Sequence, residues 1–315
     1  MISRSFAERI IIMIVGAFLT YHFSLQLMKE MNALDTSVED VRPLQIEIEK
    51  KLKIKLDPNM YEKMIMNDII RAEQLETSFK DIVGLQSAKE SLQKYLINPI
   101  KSKKNHDFLP NGIVFYGSPG TGKTMLAKAL ALATELECPF INFSVSSIEN
   151  KMYGESGKIL KALFTLANKI KPCVIFIDEL DGFASPRNNT LDQSHVTALK
   201  TQLLTHMDGI VSRDKTIIFI GATNLLSNVD DAVKRRMRLH IKIENPEEKD
   251  ISELIHKTLR IKSENIAERC EYNDFSFSDV AELCKLAQLE ACSRNSKKVE
   301  QFDLDQAFKK LNSYS

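Results

Sequence analysis

The stretch GSPGTGKT, Gly117 to Thr124, decides how this chain folds. It matches the pattern G-x4-G-K-[ST] through Gly117, Ser118, Pro119, Gly120, Thr121, Gly122, Lys123 and Thr124. A bare match of this kind arises by chance in a chain this long on the order of once in a hundred. Its flanks make it far more specific. The apolar run GIVFY precedes it as a strand, and KTMLAKALALATEL follows it as a helix, with Met125 in its first turn. Strand, glycine-rich loop and helix are the setting in which backbone N–H groups turn inward around a phosphate. The helix N-terminus adds the positive end of its dipole. Lys123 is placed to reach the β- and γ-phosphates of a nucleotide, and Thr124 to ligate Mg2+.

Three further runs belong to the same chemistry. CVIFIDELD ends an apolar strand in Asp178 and Glu179. Asp178 is expected to hold Mg2+, and Glu179 to orient and activate a water as general base. Asp181 reads as a helix-entry residue. TIIFIGATN ends a third strand in Asn224, whose amide either positions the lytic water or simply forms a turn. DDAVKRRMR places Arg235 and Arg236 at the close of a short helix. Two cations there either complement the helix dipole or act as arginine fingers on a phosphate held by another subunit.

Working outward, short β-rich runs (GIVFYG, PFINFS, CVIFID, TIIFIGAT, LHIKI) alternate with amphipathic helical ones. In SGKILKALFTLANKI, Ile159, Leu160, Leu163, Phe164 and Ala167 mark one face. That alternation predicts an α/β domain over residues 61–245, with a mostly parallel sheet sandwiched by helices. Its first predicted helical run is YEKMIMNDIIRAE. After Pro246 only helical patterns remain, which predicts a small helical lid domain over 246–315. Residues 10–28, IIIMIVGAFLTYHFSLQLM, contain no Asp, Glu, Lys or Arg. As a helix this run is roughly 28 Å long, enough to cross a bilayer's hydrocarbon layer. It is read as a transmembrane helix behind a short tail at 1–9, and a charged linker at 29–60 follows. The charges on either side do not decide its orientation.

Composition narrows the alternatives. A net charge of +1 gives no electrostatic reason to expect nucleic acid as a partner. The 5 cysteines are scattered without a CxxC pair, which argues against a disulfide framework and fits a reducing compartment. One loop stands apart. NKMYGES sets Met152 beside Tyr153 among polar residues, and the pair either folds back on the core or waits to grip something.

Together these motifs resemble the AAA+ P-loop ATPases of the meiotic clade, from about Tyr61 to the C-terminus. DIVGL resembles the loop that cups adenine through backbone groups, which implies ATP at Asp81, Ile82, Val83 and Gly84. GSPGTGKT, IFIDELD and GATN resemble Walker A, Walker B and sensor 1, and Arg235 and Arg236 stand where relatives keep fingers that act in trans. FSFSDVAELC resembles the start of the lid's nucleotide-facing helix, with Phe277 where the family usually has Gly. The anchor, the short linker and the runs around NKMYGES and LDQSHVTALKTQLLTHMDGI resemble the subfamily that removes mislocalised tail-anchored proteins from the mitochondrial outer membrane and peroxisomes. The resemblance implies a homohexamer facing the cytosol, which grips an unfolded client through the pore loop Lys151, Met152, Tyr153 and Gly154. It also implies a second pore-facing loop near Asn188 to His195. Relatives usually carry an aromatic where this chain has Met152. The alternatives are a severing or complex-disassembly ATPase of the same clade, or a nucleotide-dependent scaffold. A membrane-bound protease of the family would need an HExxH motif, and none occurs.

Overall fold

The structure is a computed structural model, and it describes residues 41–70, 74–75, 77–102, 110, 112–133, 139–144, 155–183, 190–211, 216–262, 264–296 and 298–314. The chain divides into two compact units, up to Asn67 and from Asp68 onward. In the first, α1 (Arg42–Leu52) starts with proline in its first turn and stops at Lys53 in the left-handed conformation. There Gln45 Nε2 donates to the Leu56 carbonyl at 2.7 Å and the Leu56 amide donates to Glu49 at 2.7 Å, so the chain folds back on the helix. Helix α2 (Met60–Met66) opens with a capping box between Asn59 and Glu62. The predicted membrane span at 10–28 lies outside the described residues. Among the described residues, no helix is long and apolar enough to cross a membrane.

The second unit carries a six-stranded sheet. Its strands are β1 (Ile69–Ile70), β2 (Gly112–Tyr116), β3 (Phe140–Ser144), β4 (Cys173–Asp178), β5 (Ile217–Thr223) and β6 (Leu239–Lys242). Their order across the sheet is β1-β3-β4-β5-β2-β6. All pairings are parallel except β1 with β3. One expectation is corrected here. The run YEKMIMNDIIRAE is not one helix, because it breaks after Met66 and Ile69–Ile70 pairs antiparallel with Phe140–Ile141. Two adjacent β-branched residues beside an open sheet edge gain more from cross-strand pairing than from another helical turn.

Helices cover both faces, which is why β4 and β5 are buried almost throughout. On β5, Ile218, Ile220 and Ala222 join one core with Leu126, Ala127 and Leu130 of α4 (Lys123–Ala133). That core also takes Ala88, Leu92, Leu96 and Ile97. Phe219, one residue out of phase, stacks with Phe164 of α5 (Ser156–Ile170) at 6.1 Å on the opposite side. This is strand alternation expressed in packing, and each fully buried side chain contributes about 1.5–3 kcal/mol. Ahead of β2, α3 (Gln86–Leu92) passes through one π turn, Gln93–Ile97, into Asn98–Ser102. Pro99 has no amide to donate into the ordinary ladder, and the Asn98 amide donates to the Gln93 carbonyl across that turn.

Helix α6 (Thr190–Val211) precedes β5, and the short α7 (Asp231–Arg236) follows it. The C-terminal helices α8 (Glu248–Leu259), α9 (Glu264–Tyr272), α10 (Phe277–Ser293) and α11 (Gln301–Tyr314) close around their own core of Ile251, Ile255, Ile266, Leu283, Leu304 and Phe308. Burial there pushes the thiols of Cys270 and Cys284 up, to about 12 and about 11, so both stay protonated. Arg294 grips Asp303 through Nε at 2.8 Å and Nη2 at 2.5 Å. Asp303 is fully buried and also accepts from the Glu300 amide at 2.8 Å, capping α11.

The Arg294 hydrogen bonds hold the Asp303 carboxyl below its usual range. Its stabilising contribution is therefore complete above the unfolded carboxylate value of about 4 and is lost as pH falls through the lower folded value. Asp303→Asn is expected to lower the thermal midpoint by several degrees at neutral pH. The variant should also remove that step from an acid titration of amide protection in α10 and α11. An unchanged titration would show that the pair contributes nothing to the lid.

Candidate active site

The register of the sheet brings the predicted residues to one edge. Tyr116 pairs with Thr223, Ile177 with Gly221, and Ser144 with Asp178. The C-terminal ends of β2, β5, β4 and β3 therefore finish side by side, where open parallel sheets bind their ligands. A cavity of about 720 Å3 opens there. Pro119 to Met125 form its floor, with Asp178, Glu179 and Asn224 along one side.

The phosphate loop is closed on itself through Lys123. Lys123 is buried, and its ammonium donates to the carbonyls of Gly117 at 2.8 Å and Ser118 at 2.7 Å. Burial depresses its pKa, opposed by Asp178 and Asp181. A buried cation held by two neutral carbonyls suits a polyphosphate ligand, which would supply opposite charge. Gly120 has φ +75°, and a Cβ there would sit 2.5 Å from Ser276 Oγ, so only glycine allows the loop and α10 to approach this closely. Thr124 Oγ1 donates to Asp178 Oδ2 at 3.2 Å. Two hard oxygen donors beside a phosphate loop fit Mg2+, which usually takes one or two protein oxygens and completes its shell with phosphates and water.

Glu179 is exposed at the cavity wall and adopts φ +53°, a conformation that costs a residue with a side chain about 1–2 kcal/mol. The turn is held because its amide donates to Asp178 Oδ1 at 2.9 Å. Asp181 lies in the 3-10 turn Leu180–Phe183 and accepts from Thr223 Oγ1 at 2.8 Å. It thus ties the end of β4 to the end of β5, next to Asn224, as a structural residue.

At the other end of the cavity, Asp81, Ile82, Val83 and Leu85 face Leu254, Phe277 and Ala281 of the lid. The loop is fixed from several directions. Ser78 donates to Asp81 through its hydroxyl at 2.5 Å and its amide at 2.9 Å, which holds that carboxyl below its usual range. Lys257 of α8 donates to the Asp81 carbonyl at 2.8 Å, and Lys89 to the Ile82 carbonyl at 2.5 Å. Gly84 has φ +64°, and a Cβ there would lie 2.8 Å from Asp250 Cγ and 3.0 Å from Phe277 Cζ.

The two arginines part company. Both end α7, outside the residues that line the cavity. Arg236 makes a bidentate pair with Asp208 of α6, Nε to Oδ1 at 2.6 Å and Nη2 to Oδ2 at 2.7 Å, and also donates to the Ala232 carbonyl. Those bonds hold the Asp208 carboxyl low. Arg235 is exposed and makes no ion pair among the described residues. Lys151, Met152, Tyr153 and Gly154 lie outside the described residues, as does the start of the second expected pore-facing loop.

Sequence reasoning missed Asp208, Asn142 and Ser144. The two β3 residues line the cavity, and their signal was present: polar side chains alternate with Ile141 and Phe143 in FINFS. Asp208 carried no such signal, since its partner is 28 residues away.

Comparison with known proteins agrees with this geometry. Residues 113–247 match the model of the ATPase family associated with various cellular activities (AAA). The chain is 36% identical over 240 residues to the mitochondrial sorting homolog of Caenorhabditis elegans, covering 73% of this chain and 69% of that protein. It is 34% identical over 298 residues to the outer mitochondrial transmembrane helix translocase of Homo sapiens, covering 88% and 80%. Its fold matches the crystal structure of the FIGL-1 AAA domain in complex with ADP, with a TM-score of 0.67, 26% identity, and coverage of 81% and 90%. A phosphate loop and two strand-end carboxylates at one cavity thus coincide with similarity to these relatives along most of their length. The chain belongs to the AAA family of ATPases, and it is an ATP hydrolase.

Proposed function

We propose that this ATPase extracts tail-anchored membrane proteins from the mitochondrial outer membrane, threading them through the pore of a homohexamer. The observation that carries this reading is the extent of the similarity to the human translocase, which covers 80% of that protein and reaches well beyond the residues matched by the AAA model. On this reading the transmembrane helix at 10–28 anchors the chain once, with its ATPase domain in the cytosol. The peroxisomal membrane is a second location.

On this reading the residues of the site take the following roles. Gly117 to Met125 hold the phosphates of ATP, and Asp81 to Gly84 hold its base. Thr124 and Asp178 would hold Mg2+, which would screen phosphate charge. Glu179 takes a proton from the attacking water, and Asn224, at the end of β5, orients that water. Arg235 reaches a phosphate in the neighbouring subunit's site, so hydrolysis requires assembly. The resulting motion is transmitted to the Lys151–Gly154 loop, where Tyr153 packs against an unfolded client. An aromatic side chain packs on any sequence without needing particular hydrogen bonds. Met152 adds flexible apolar surface beside it.

The test uses full-length protein in liposomes with a model tail-anchored client. ATP-dependent release is expected from the wild type and not from Tyr153→Ala, which should keep most of its ATPase activity. Equal release by the variant would remove Tyr153 from the grip. Robust hydrolysis without release by the wild type would sink the dislocase reading and favour remodelling of another assembly.

A further inference from the structure

Phe277 is the first residue of α10, and it lines the cavity that the phosphate loop opens into. Both ends of this aromatic are fixed. On the backbone side, Ser276 and Asp279 form a capping box that sets the first turn of α10. The next residue, Ser278, donates its amide to the Gly120 carbonyl at 3.1 Å, which ties that turn to the phosphate loop. On the ring side, Cζ lies so close to Gly84 that a Cβ there would be 3.0 Å away. Phe277 therefore spans from the phosphate end of the cavity to the loop at its far end.

The cavity wall around the ring is mostly apolar, although the Asp250 carboxylate meets Gly84 beside the ring tip. Ile82 and Val83 are buried, Leu85 stands on the same loop, and Leu254 and Ala281 share the lid wall with Phe277. Among the described residues, the one carboxylate on the facing loop, Asp81, is engaged with Ser78. A slot with apolar walls and one preorganised aromatic suits a flat heterocycle. Stacking needs no particular hydrogen bonds, and a ring already held in place loses little freedom on binding. Phe277 is only half-buried, and because it lines the cavity, a ligand there covers apolar surface that is otherwise wet.

We propose that Phe277 is a base-contacting residue: its ring forms the lid-side wall against which the base of the bound nucleotide stacks. The consequence is selective. Phe277 contributes to affinity for the base and contributes nothing to affinity for the polyphosphate, which Lys123 and the phosphate loop hold. This inference rests on nucleotide binding alone and is independent of what the ATPase acts on.

The experiment is calorimetric titration of the full-length protein with ADP and, separately, with inorganic tripolyphosphate. The proteins compared are wild type, Phe277→Leu, Phe277→Gly and Phe277→Trp. Leucine keeps apolar bulk on the lid wall but removes the π face, and the tripolyphosphate arm then separates stacking from lid packing. Phe277→Leu is expected to weaken ADP by about tenfold, the scale of one base–aromatic stack. Phe277→Gly should weaken ADP at least as much, Phe277→Trp should restore it, and tripolyphosphate affinity should stay within twofold throughout. A parallel loss of tripolyphosphate in Phe277→Leu would overturn the proposal, because it would show that the residue only positions the lid. Unchanged ADP affinity in both Phe277→Leu and Phe277→Gly would overturn it as well. Wild-type protein that bound tripolyphosphate no less tightly than ADP would show that the base is not held at all.

Discussion

Glu179→Gln is expected to bind ATP as the wild type does and to turn over about 10²–10⁴-fold more slowly, the usual contribution of a positioned general base. The expectation rests on geometry. Glu179 lies at the cavity wall one residue beyond Asp178, and its amide is held by that carboxylate at 2.9 Å. Its backbone sits in the left-handed region at φ +53°, where a side chain is strained. Strain retained at a strand end beside a phosphate loop points to a position that the chemistry requires. Glutamine keeps the shape and the turn but cannot accept the proton. Single-turnover ADP formation measured alongside equilibrium ATP binding separates the two steps. Turnover within a few-fold of the wild type would remove Glu179 from the role of base. Weakened ATP binding would instead show that its carboxylate helps hold the ground state.

Arg235→Ala is expected to lower the hydrolysis rate of the assembled protein by about 10³-fold, at the lower end of the range for an arginine finger. Nucleotide affinity of isolated subunits should not change. Arg235 is exposed and makes no ion pair among the described residues, so its charge is available to a neighbouring subunit. Arg236 differs because Asp208 takes the Nε and Nη2 edge of its guanidinium and the Ala232 carbonyl accepts from Nη1, all within its own subunit. To act in trans it must first leave that pair. Arg236→Ala is therefore expected to have a smaller effect than Arg235→Ala. Asp208→Asn should reproduce that smaller effect, and the double variant should be no worse than either single one. The measurement is ATPase rate against protein concentration, which separates lost assembly from lost chemistry. Equal losses for Arg235→Ala and Arg236→Ala, with Asp208→Asn inert, would show that the Asp208 pair opens on assembly and that the arginines share the work.

Much of this was legible in advance because it depends on short-range chemistry. Lys123, Thr124, Asp178, Glu179 and Asn224 each announce themselves by ending an apolar strand or opening a helix, and a parallel sheet places strand ends together whatever the loops between them do. The less legible features depend on partners distant in sequence. Ile69 and Ile70 read as helix until an open edge of β3 offered them a strand. The identity of Phe277 was plain, but its meeting with Gly84 requires the lid to be folded against the large domain.

The sequence by itself determined the phosphate-binding chemistry, the α/β class and the helical character of the C-terminal part. Periodicity, glycine placement and charge at element ends act within a few residues of one another. Only the tertiary structure decided which of two adjacent arginines is free, which residues of β3 join the cavity, and what closes the far end of it. Those outcomes depend on which side chains meet across tens or hundreds of residues, as when Lys257 reaches the Asp81 carbonyl. No local pattern encodes such a meeting, because its free energy comes from packing and hydrogen bonds that exist only once the chain has folded.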